Sequence, residues 1–317
     1  MEDAALVRGV ARRDCRLVSE QPRVVGTAQG ARRTVNRVLV TGAAGQLGHD
    51  VVAVASSRGD TVLAVDQVDL DITQREQVHE AIAEWRPDVI INCAAMTAVD
   101  QCESEVEKAF AVNEHAVRWI VEACDAIDAR LVHISTDYVF DGTKTGAYAE
   151  TDTPNPQSVY GASKLAGERV ALELGSNAVV VRTSWVCGAN GSNMVRTVQR
   201  LVGEGKALAF VSDQVGCPTF TADLAPALFT LVDDRHSGVF HLTNQGVVSW
   251  HGFVREIVRE LGSDPDAVRA ITTAELVPPR PAKRPANSVL ENKAWRDAGY
   301  QPLRDFRAPL HELLHST

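Results

Sequence analysis

Residues 37–55 have the sequence RVLVTGAAGQLGHDVVAVA, in which an apolar run leads through a glycine-rich turn into a second apolar stretch. The first run has the composition of a buried strand, and the stretch after the turn has that of a helix. Three glycines, Gly42, Gly45 and Gly48, follow the spacing G-x-x-G-x-x-G. Glycines between a strand and a helix let backbone N–H groups approach a pyrophosphate. The stretch therefore predicts a dinucleotide-binding turn.

Strand and helix patterns continue to alternate after this turn. Apolar strands are predicted at residues 61–65, 89–92, 130–135 and 178–183, and helices at 76–85, 104–126 and 160–174. Such alternation indicates βαβ units around a parallel, doubly wound sheet. We therefore predict a Rossmann-like α/β dinucleotide-binding domain over residues 37–186.

Beyond residue 186 the alternation loosens, and proline and glycine become more frequent. A further strand of the sheet is predicted near residues 238–243. We interpret residues 187–317 mostly as a smaller C-terminal substrate domain that is interleaved with the sheet domain. Residues 1–36 are rich in arginine and show no periodicity, and we interpret them as a disordered extension.

Tyr160 and Lys164 are the strongest candidates for catalysis. Residues four apart share one face of a helix, so the ammonium group can lie beside the phenol and favour its ionised form. Ser135 and Thr136 end an apolar strand, at the sheet edge where ligands bind. Tyr138 also follows that strand, but only Tyr160 has a lysine one turn later. We predict that Tyr160 is a general acid, that Lys164 lowers its pKa, and that a strand-end hydroxyl bonds the substrate oxygen.

With these motifs the chain resembles the extended short-chain dehydrogenase/reductases and, within them, the dTDP-4-dehydrorhamnose reductases. The resemblance runs from about Val38 to the C-terminus. Its main blocks are Gly45-Gln46-Leu47-Gly48, residues 92–100, Val112-Asn113, residues 135–142, residues 160–168, residues 182–185, residues 213–219 and residues 280–290. It implies NAD(P)H-dependent reduction of the C4 ketone of a dTDP-sugar, with Thr136 bonding the same oxygen that Tyr160 protonates.

The resemblance also implies further binding residues. Beyond the glycines, Tyr160 and Lys164, those implied for the cofactor are Gln46, Leu47, Asp71, Ile72, Ala94, Ala95 and Thr97. With Thr136, those implied for the substrate are Asp137 and Trp185. Three positions depart from the family pattern, since Met96, Cys187 and Met194 replace aromatic residues near the expected cleft.

A proline-rich basic segment near the C-terminus is our candidate for the nucleotide end of the substrate. Arginine suits bidentate recognition of a diphosphate. The residues in question are Arg280, Arg284, Asn287 and Ser288. Arg182, which ends an apolar strand, is interpreted either as part of the site or as a structural ion-pair residue.

The choice of electron donor depends on Asp66, at the end of the second predicted strand. An acid at this position commonly bonds the adenosine 2′-hydroxyl and disfavours a 2′-phosphate. The resemblance implies NADPH as the usual donor, with NADH tolerated. We therefore predict NADPH or NADH with weak discrimination.

The composition is that of a globular protein without a nucleic-acid-binding surface. The 317 residues are 45% hydrophobic and 23% charged, with a net charge of −9, whereas nucleic-acid binders carry basic surfaces. No apolar run approaches the roughly 18 residues of a membrane span. Six cysteines without C-x-x-C spacing predict reduced thiols, a cytoplasmic location and no structural zinc. We assign no metal, and leave open a homodimer and a Mg²⁺ role, both of which the resemblance raises.

Two alternatives to the reductase stay open at this point. One is another sugar-nucleotide enzyme of the superfamily, a 4-epimerase or a dehydratase, although Thr136-Asp137-Tyr138 offers only one of the two acids expected of a dehydratase. The other is a non-catalytic regulatory subunit of methionine adenosyltransferase, which resembles the same reductases. The complete set of Thr136, Tyr160 and Lys164 favours catalysis.

Overall fold

The computed structural model describes residues 36–315, so the disordered extension predicted at residues 1–36 lies outside them apart from Asn36. The strands are β1 (Arg37–Thr41), β2 (Thr61–Val65), β3 (Val89–Asn92), β4 (Arg130–Thr136), β5 (Ala178–Thr183), β6 (Val186–Cys187), β7 (Ala209–Val211), β8 (Val215–Gly216), β9 (Thr219–Phe220), β10 (Gly238–His241), β11 (Val248–Ser249) and β12 (Arg269–Ile271). The helices are α1 (Gln46–Ser57), α2 (Arg75–Trp85), α3 (Val99–Ser104), α4 (Val106–Phe110), α5 (Ala116–Ile127), α6 (Val159–Ala171), α7 (Met194–Gly203), α8 (Thr221–Asp233), α9 (Trp250–Glu260), α10 (Lys293–Asp297) and α11 (Arg307–His315).

Six strands form one parallel sheet in the order β2-β1-β3-β4-β5-β10. The chain builds outward from β1 in both directions, so the strand order reverses between β1 and β3. Parallel sheets of this kind bind ligands at that reversal, outside the carboxyl ends of the strands. The predicted Rossmann-like, doubly wound α/β fold is confirmed, and the strand expected near residues 238–243 is β10.

Alternate residues of the central strands pack on opposite faces of the sheet. Val38 and Val40 of β1 belong to a core with α1 and α8, whereas Leu39 belongs to a core with α2, α5 and α6. Burial on both faces explains why these strands are continuous apolar runs rather than alternating ones. A third core joins α7, α9 and α11 in the C-terminal part of the chain.

The helix predicted over residues 104–126 is interrupted. A π-helical turn, Ala111–His115, separates α4 from α5. The side chain of Asn113 in this turn accepts from the backbone N–H of Met96 at 2.9 Å and donates to Ser163 Oγ at 3.0 Å. A Cβ atom on Gly167 of α6 would lie 2.1 Å from the Asn113 carbonyl O. The turn therefore forms because of tertiary contacts with α6, which helical periodicity does not reveal.

In the part of the chain that the structure describes, no helix combines the length and the apolar character needed to cross a membrane.

Candidate active site

The glycine-rich turn folds against the neighbouring strand ends too closely for side chains to fit. Gly42 has a φ of +66°, and a Cβ atom there would lie 2.7 Å from the backbone N of Ala94. A Cβ atom on Gly48 would lie 2.1 Å from the carbonyl O of Gly42. Both distances are well inside van der Waals contact, so the turn requires glycine at these positions. The turn precedes α1, and its backbone is open to a diphosphate at the strand-order reversal.

Gly48→Ala should weaken dinucleotide binding by about tenfold or more. The added methyl group must displace the backbone of Gly42, and overpacking of this kind costs about 1–3 kcal/mol. Gly203→Ala is a matched control, because a Cβ atom at that helical position meets nothing within 4 Å. Calorimetric titration with NADPH measures both variants. An affinity of Gly48→Ala equal to that of the wild type would show that the turn does not hold the dinucleotide.

A cleft of about 350 Å³ opens beside this turn. Seven of the residues predicted for the cofactor line it, and these are Gly42, Gly45, Asp66, Asp71, Ile72, Ala94 and Ala95. Thr97 is exposed outside this lining, and Leu47 is buried in the core below α1. Lys108 of α4 also lines the cleft, although the sequence did not single it out.

Gln46 ties the turn to a distant loop through its side chain. Its Oε1 accepts from the N–H of Gly188 at 3.0 Å and from Asn193 Nδ2 at 2.9 Å, and its Nε2 donates to the Ser192 carbonyl at 3.1 Å. The amide is therefore engaged in holding residues 188–193 against the turn. Because the side chain is occupied, we expect Gln46 to contact a cofactor only through its backbone at the start of α1.

The acids of the cleft are held by short-range hydrogen bonds. Asp66 accepts from the N–H of Ala44 at 2.9 Å and from the N–H of Gln67 at 2.6 Å, which fixes its carboxylate at the mouth of the turn. Asp71 accepts from the backbone and the hydroxyl of Thr73. The hydroxyl bond is the main cause of a lowered pKa of Asp71, so this carboxyl is ionised at neutral pH.

The junction of β4 with α6 brings the predicted catalytic residues together. Ser158 caps α6 by accepting from the N–H of Gly161 at 3.1 Å. A Cβ atom on Gly161 would lie 2.2 Å from the carbonyl O of Tyr138, so glycine lets α6 begin directly against the chain that leaves β4. Tyr160 lies in the first turn of α6, and its ring is edge-on to that of Tyr138, with the centroids 5.5 Å apart.

The electrostatics of Tyr160 differ from the prediction. The tyrosine is buried, with 8% of its surface exposed, and burial raises its pKa above the ordinary value while the nearby hydroxyl of Thr136 opposes the rise. We predicted that Lys164 lowers this pKa, but the loss of hydration of the phenolate outweighs any such effect in this structure. The phenol is therefore protonated at neutral pH, as a proton donor must be.

Lys164 is almost completely buried, with 2% of its surface exposed. Burial lowers the pKa of its ammonium group to about 8, and Glu168 and Cys93 act in the opposite direction. Cys93, whose charge would act on Lys164 in the upward direction, lines the dinucleotide cleft. A lysine in this position can bond a ribose while remaining one helical turn from Tyr160.

Thr136 and Asp137 form a buried pair at the end of β4. Thr136 Oγ1 donates to Asp137 Oδ1 at 2.9 Å, so its predicted donation to a substrate oxygen requires the hydroxyl to turn away from the carboxylate. Asp137 Oδ2 is buried and has no hydrogen-bond partner among the described residues. Burial raises the pKa of Asp137 to about 6. A substrate hydroxyl would supply the hydrogen bond that this oxygen lacks.

Ser135, by contrast, lies outside the site. Its hydroxyl donates to Glu168 Oε1 at 2.5 Å, and Glu168 also forms a bidentate ion pair with Arg182 at 2.8 and 2.7 Å. The expectation that Ser135 lies beside the ligand together with Thr136 is wrong, because successive side chains of a strand point to opposite faces. Arg182 is a structural ion-pair residue, which was one of the two interpretations of the sequence.

Trp185 sits in a strained conformation beside a second tryptophan. Its φ of +47° is unusual for a large side chain, and such strain is concentrated at functional sites. Its ring stacks on Trp250 with centroids 3.6 Å apart and planes at 9°. A Cβ atom on Gly216 would approach both the Trp185 ring and Ser288 Oγ. Trp250 was not predicted, and its only signal was an aromatic residue following Ser249, the N-cap of α9.

The basic segment near the C-terminus is held against α3 by one acid. Arg284 donates to both oxygens of Asp100 at 2.9 and 2.8 Å, and Arg280 lies 3.6 Å from the same carboxylate. Asn287 donates to the carbonyls of Lys144 and Gly146, and so its amide supports a loop. The structure therefore brings the two arginines together at Asp100. The side-chain amide of Asn287 is already bonded within the protein and is not free to bind a nucleotide.

The three positions that depart from the family pattern lie in two places. Met96 packs in the small cluster that contains Tyr160 and Tyr138, so it shapes the wall of the site. Cys187 and Met194 pack instead in the C-terminal core with α7 and α9. Only Met96 therefore lies where all three residues were expected, beside the site.

Comparison with known proteins gives a consistent result. Residues 36–317 match the RmlD substrate binding domain family. A Streptomyces griseus protein named dTDP-4-dehydrorhamnose reductase is 44% identical over 282 residues, covering 87% of this chain and 92% of the relative. A Mycobacterium tuberculosis protein of the same name is 43% identical over 280 residues, covering 86% and 91%. The crystal structure of dTDP-4-dehydrorhamnose reductase from Bacillus anthracis in complex with NADP is 36% identical, with a TM-score of 0.86, and covers 90% of this chain and 100% of that one.

Proposed function

The chain belongs to the RmlD substrate binding domain family, and from this premise we propose that it reduces the C4 ketone of dTDP-4-dehydro-L-rhamnose to give dTDP-L-rhamnose. The observation that carries the proposal is the junction of β4 with α6, where Tyr160 packs in one cluster with Met96, a residue that lines the dinucleotide cleft. The names of the Streptomyces and Mycobacterium relatives support this reaction.

The cofactor of the reaction is NADPH, with NADH as a weaker or equal donor. The NADP bound by the Bacillus anthracis relative supports this choice. The close approaches at Gly42 and Gly48 leave the backbone of the turn accessible to a diphosphate, and Asp66 stands where the adenosine ribose would lie. When bound, the reduced nicotinamide supplies the hydride that the ketone carbon accepts.

Tyr160 supplies the proton that completes the reduction. As negative charge develops on the ketone oxygen, the phenol donates its proton to that oxygen, leaving a phenolate and the product alcohol. The ammonium group of Lys164, one turn along α6, stabilises this phenolate and bonds the ribose of the cofactor. Thr136 donates to the same oxygen after its hydroxyl leaves Asp137, and Asp137 then accepts from a sugar hydroxyl.

The two tryptophans and the two arginines hold the remainder of the substrate. The stacked rings of Trp185 and Trp250 form an apolar wall against which the sugar packs. Arg284 and Arg280 bind the diphosphate, and in doing so they exchange the Asp100 carboxylate for phosphate oxygens. Ser288, buried beside Gly216 and Trp185, lies between these two parts of the site.

Asp66→Asn should shift donor preference toward NADPH by about five- to tenfold in kcat/KM. A carboxylate about 4 Å from a 2′-phosphate costs roughly 1 kcal/mol or more, and the amide removes that charge. Glu76→Gln, an exposed acid of α2, removes the same charge without lining the cleft. Steady-state kinetics with both donors measure the ratio. An unchanged ratio in Asp66→Asn would show that this carboxylate does not face the ribose.

The proposed function is tested by following cofactor absorbance with enzymatically prepared dTDP-4-dehydro-L-rhamnose. One NADPH should be oxidised for each sugar reduced, and dTDP-L-rhamnose should accumulate. Product without net cofactor oxidation would indicate an epimerase. Cofactor binding without turnover, together with co-purification of a methionine adenosyltransferase catalytic subunit, would indicate a regulatory role.

We place the reaction in the cytoplasm. Five cysteines of the described region are free thiols, and four of them are buried, as in a protein that keeps its thiols reduced. Fractionation of cells that produce the untagged chain would test this location.

A further inference from the structure

Two histidines of the last helix and one acid of α9 converge on a single point, away from the proposed active site. His311 Nδ1 lies 2.7 Å and His315 Nε2 lies 3.3 Å from the same oxygen, Oε2 of Glu260. The three ligand atoms all lie within 4.8 Å of one another. From this geometry we propose that Glu260, His311 and His315 form a binding site for a divalent transition-metal ion such as Zn²⁺.

The spacing of the two histidines is suited to metal binding. They are four residues apart on α11, so they share one face of the helix, and their ring centroids are 4.5 Å apart. Both rings are reachable from solvent, with 64% and 47% of their side-chain surfaces exposed, while Glu260 is partly buried between the helices. A zinc ion with bond lengths of about 2.0–2.2 Å needs ligand atoms about 3.3 Å apart. The 3.3 Å between His315 Nε2 and Glu260 Oε2 already matches this spacing.

A simple ion pair does not explain this arrangement as well. One turn earlier in both helices, Glu256 pairs with two arginines through different oxygens, since its Oε1 lies 3.5 Å from Arg307 and its Oε2 contacts Arg259. At Glu260, by contrast, two imidazole rings contact the same oxygen, Oε2. Two ring nitrogens and one carboxylate oxygen that converge on one point are a donor set suited to a transition-metal ion. Such an ion takes a lone pair from each imidazole, and the carboxylate offsets part of its charge.

The ligand set determines which ions bind. Two imidazole nitrogens and one carboxylate oxygen favour Zn²⁺, Ni²⁺ and Co²⁺ over Mg²⁺, which prefers oxygen ligands. Because the ligands come from two helices, the bound ion links α9 to α11, and it stabilises the folded chain by an amount that grows with the logarithm of the ratio of free ion concentration to Kd. The site shares no residue with the cleft or with the residues proposed for reduction. The metal proposal can therefore be tested independently of the proposed reductase activity.

The test is titration of the untagged full-length chain with ZnCl₂ against a chromogenic zinc chelator. The wild type should bind one ion and show a raised Tm, and MgCl₂ at the same concentration should change neither. His311→Ala with His315→Ala should weaken the binding of Zn²⁺ by at least about a hundredfold, since loss of mere supporting contacts already costs 10–100-fold. Glu260→Gln should weaken it too, and circular dichroism checks that each variant is folded.

His115→Ala is the matched control, because His115 is an exposed histidine that lies 3.9 Å from a single acid, Glu114, outside the proposed site. It should bind Zn²⁺ as the wild type does. The proposal is overturned if the wild type binds no stoichiometric ion, if the double variant retains wild-type affinity, or if Mg²⁺ binds equally well.

Discussion

Tyr160→Phe should lower kcat by about two to four orders of magnitude, the usual contribution of a positioned general acid. The substitution removes one oxygen from a side chain that is already buried, so the ring should keep its contacts with Tyr138 and Met96. Asp137 does not replace the phenol in this account, because with substrate bound it accepts a hydrogen bond from a sugar hydroxyl. Cofactor affinity should remain near that of the wild type, since Lys164 and the glycine-rich turn are intact.

Tyr138→Phe is the matched control for this prediction. Tyr138 lies edge-on to Tyr160 but has no lysine one helical turn later, and we expect it to retain most of the turnover. Steady-state rates and NADPH titrations on both variants separate chemistry from binding. Full activity in Tyr160→Phe, or a larger loss of activity in Tyr138→Phe, would show that Tyr160 is not the general acid.

Glu168→Ala should lower the free energy of unfolding by about 3–5 kcal/mol, because it leaves the guanidinium of Arg182 buried without its partner. The pair is bidentate, and both side chains are less than 5% exposed. Ser135 would also lose the acceptor for its hydroxyl. Because Glu168 belongs to α6, and Arg182 and Ser135 belong to neighbouring strands, the loss should also loosen the junction that positions Tyr160.

Urea unfolding measures this effect, and an exposed ion pair provides the control. Arg200 of α7 and Glu204, which caps the C-terminal end of that helix, are four residues apart and exposed, and such pairs contribute about 0.3–0.5 kcal/mol. Glu204→Ala should therefore shift the unfolding midpoint only slightly. A loss of less than about 1 kcal/mol in Glu168→Ala would mean that the buried pair is compensated by water or by a shift of α6.

The sequence was sufficient for features that depend on near neighbours. The buried strands followed from apolar runs, because a parallel sheet covered on both faces tolerates little else at those positions. The turn at Gly42 and Gly48 followed from glycines placed between a strand and a helix. Tyr160 and Lys164 were found together because a spacing of four residues is visible without knowing the fold.

Contacts between residues that are far apart in the chain could not be predicted from the sequence. Nothing in the spacing of Trp185 and Trp250 indicates that the two rings stack, and nothing local pairs Asp100 with Arg284. The direction of Ser135 was misjudged because the motif contains two adjacent hydroxyls, and only the strand geometry separates them. The pKa of Tyr160 was misjudged because burial, which opposes the phenolate, is not visible in a sequence.

The most direct test of the central claim is the transfer of deuterium from NADPH labelled at C4 of the nicotinamide to the sugar. With dTDP-4-dehydro-L-rhamnose as substrate, mass spectrometry and proton NMR of the product should show one deuterium atom at C4, with one labelled cofactor oxidised for each product formed. A product that carries no deuterium, or no product at all from folded protein that binds the cofactor, would contradict hydride transfer at this site.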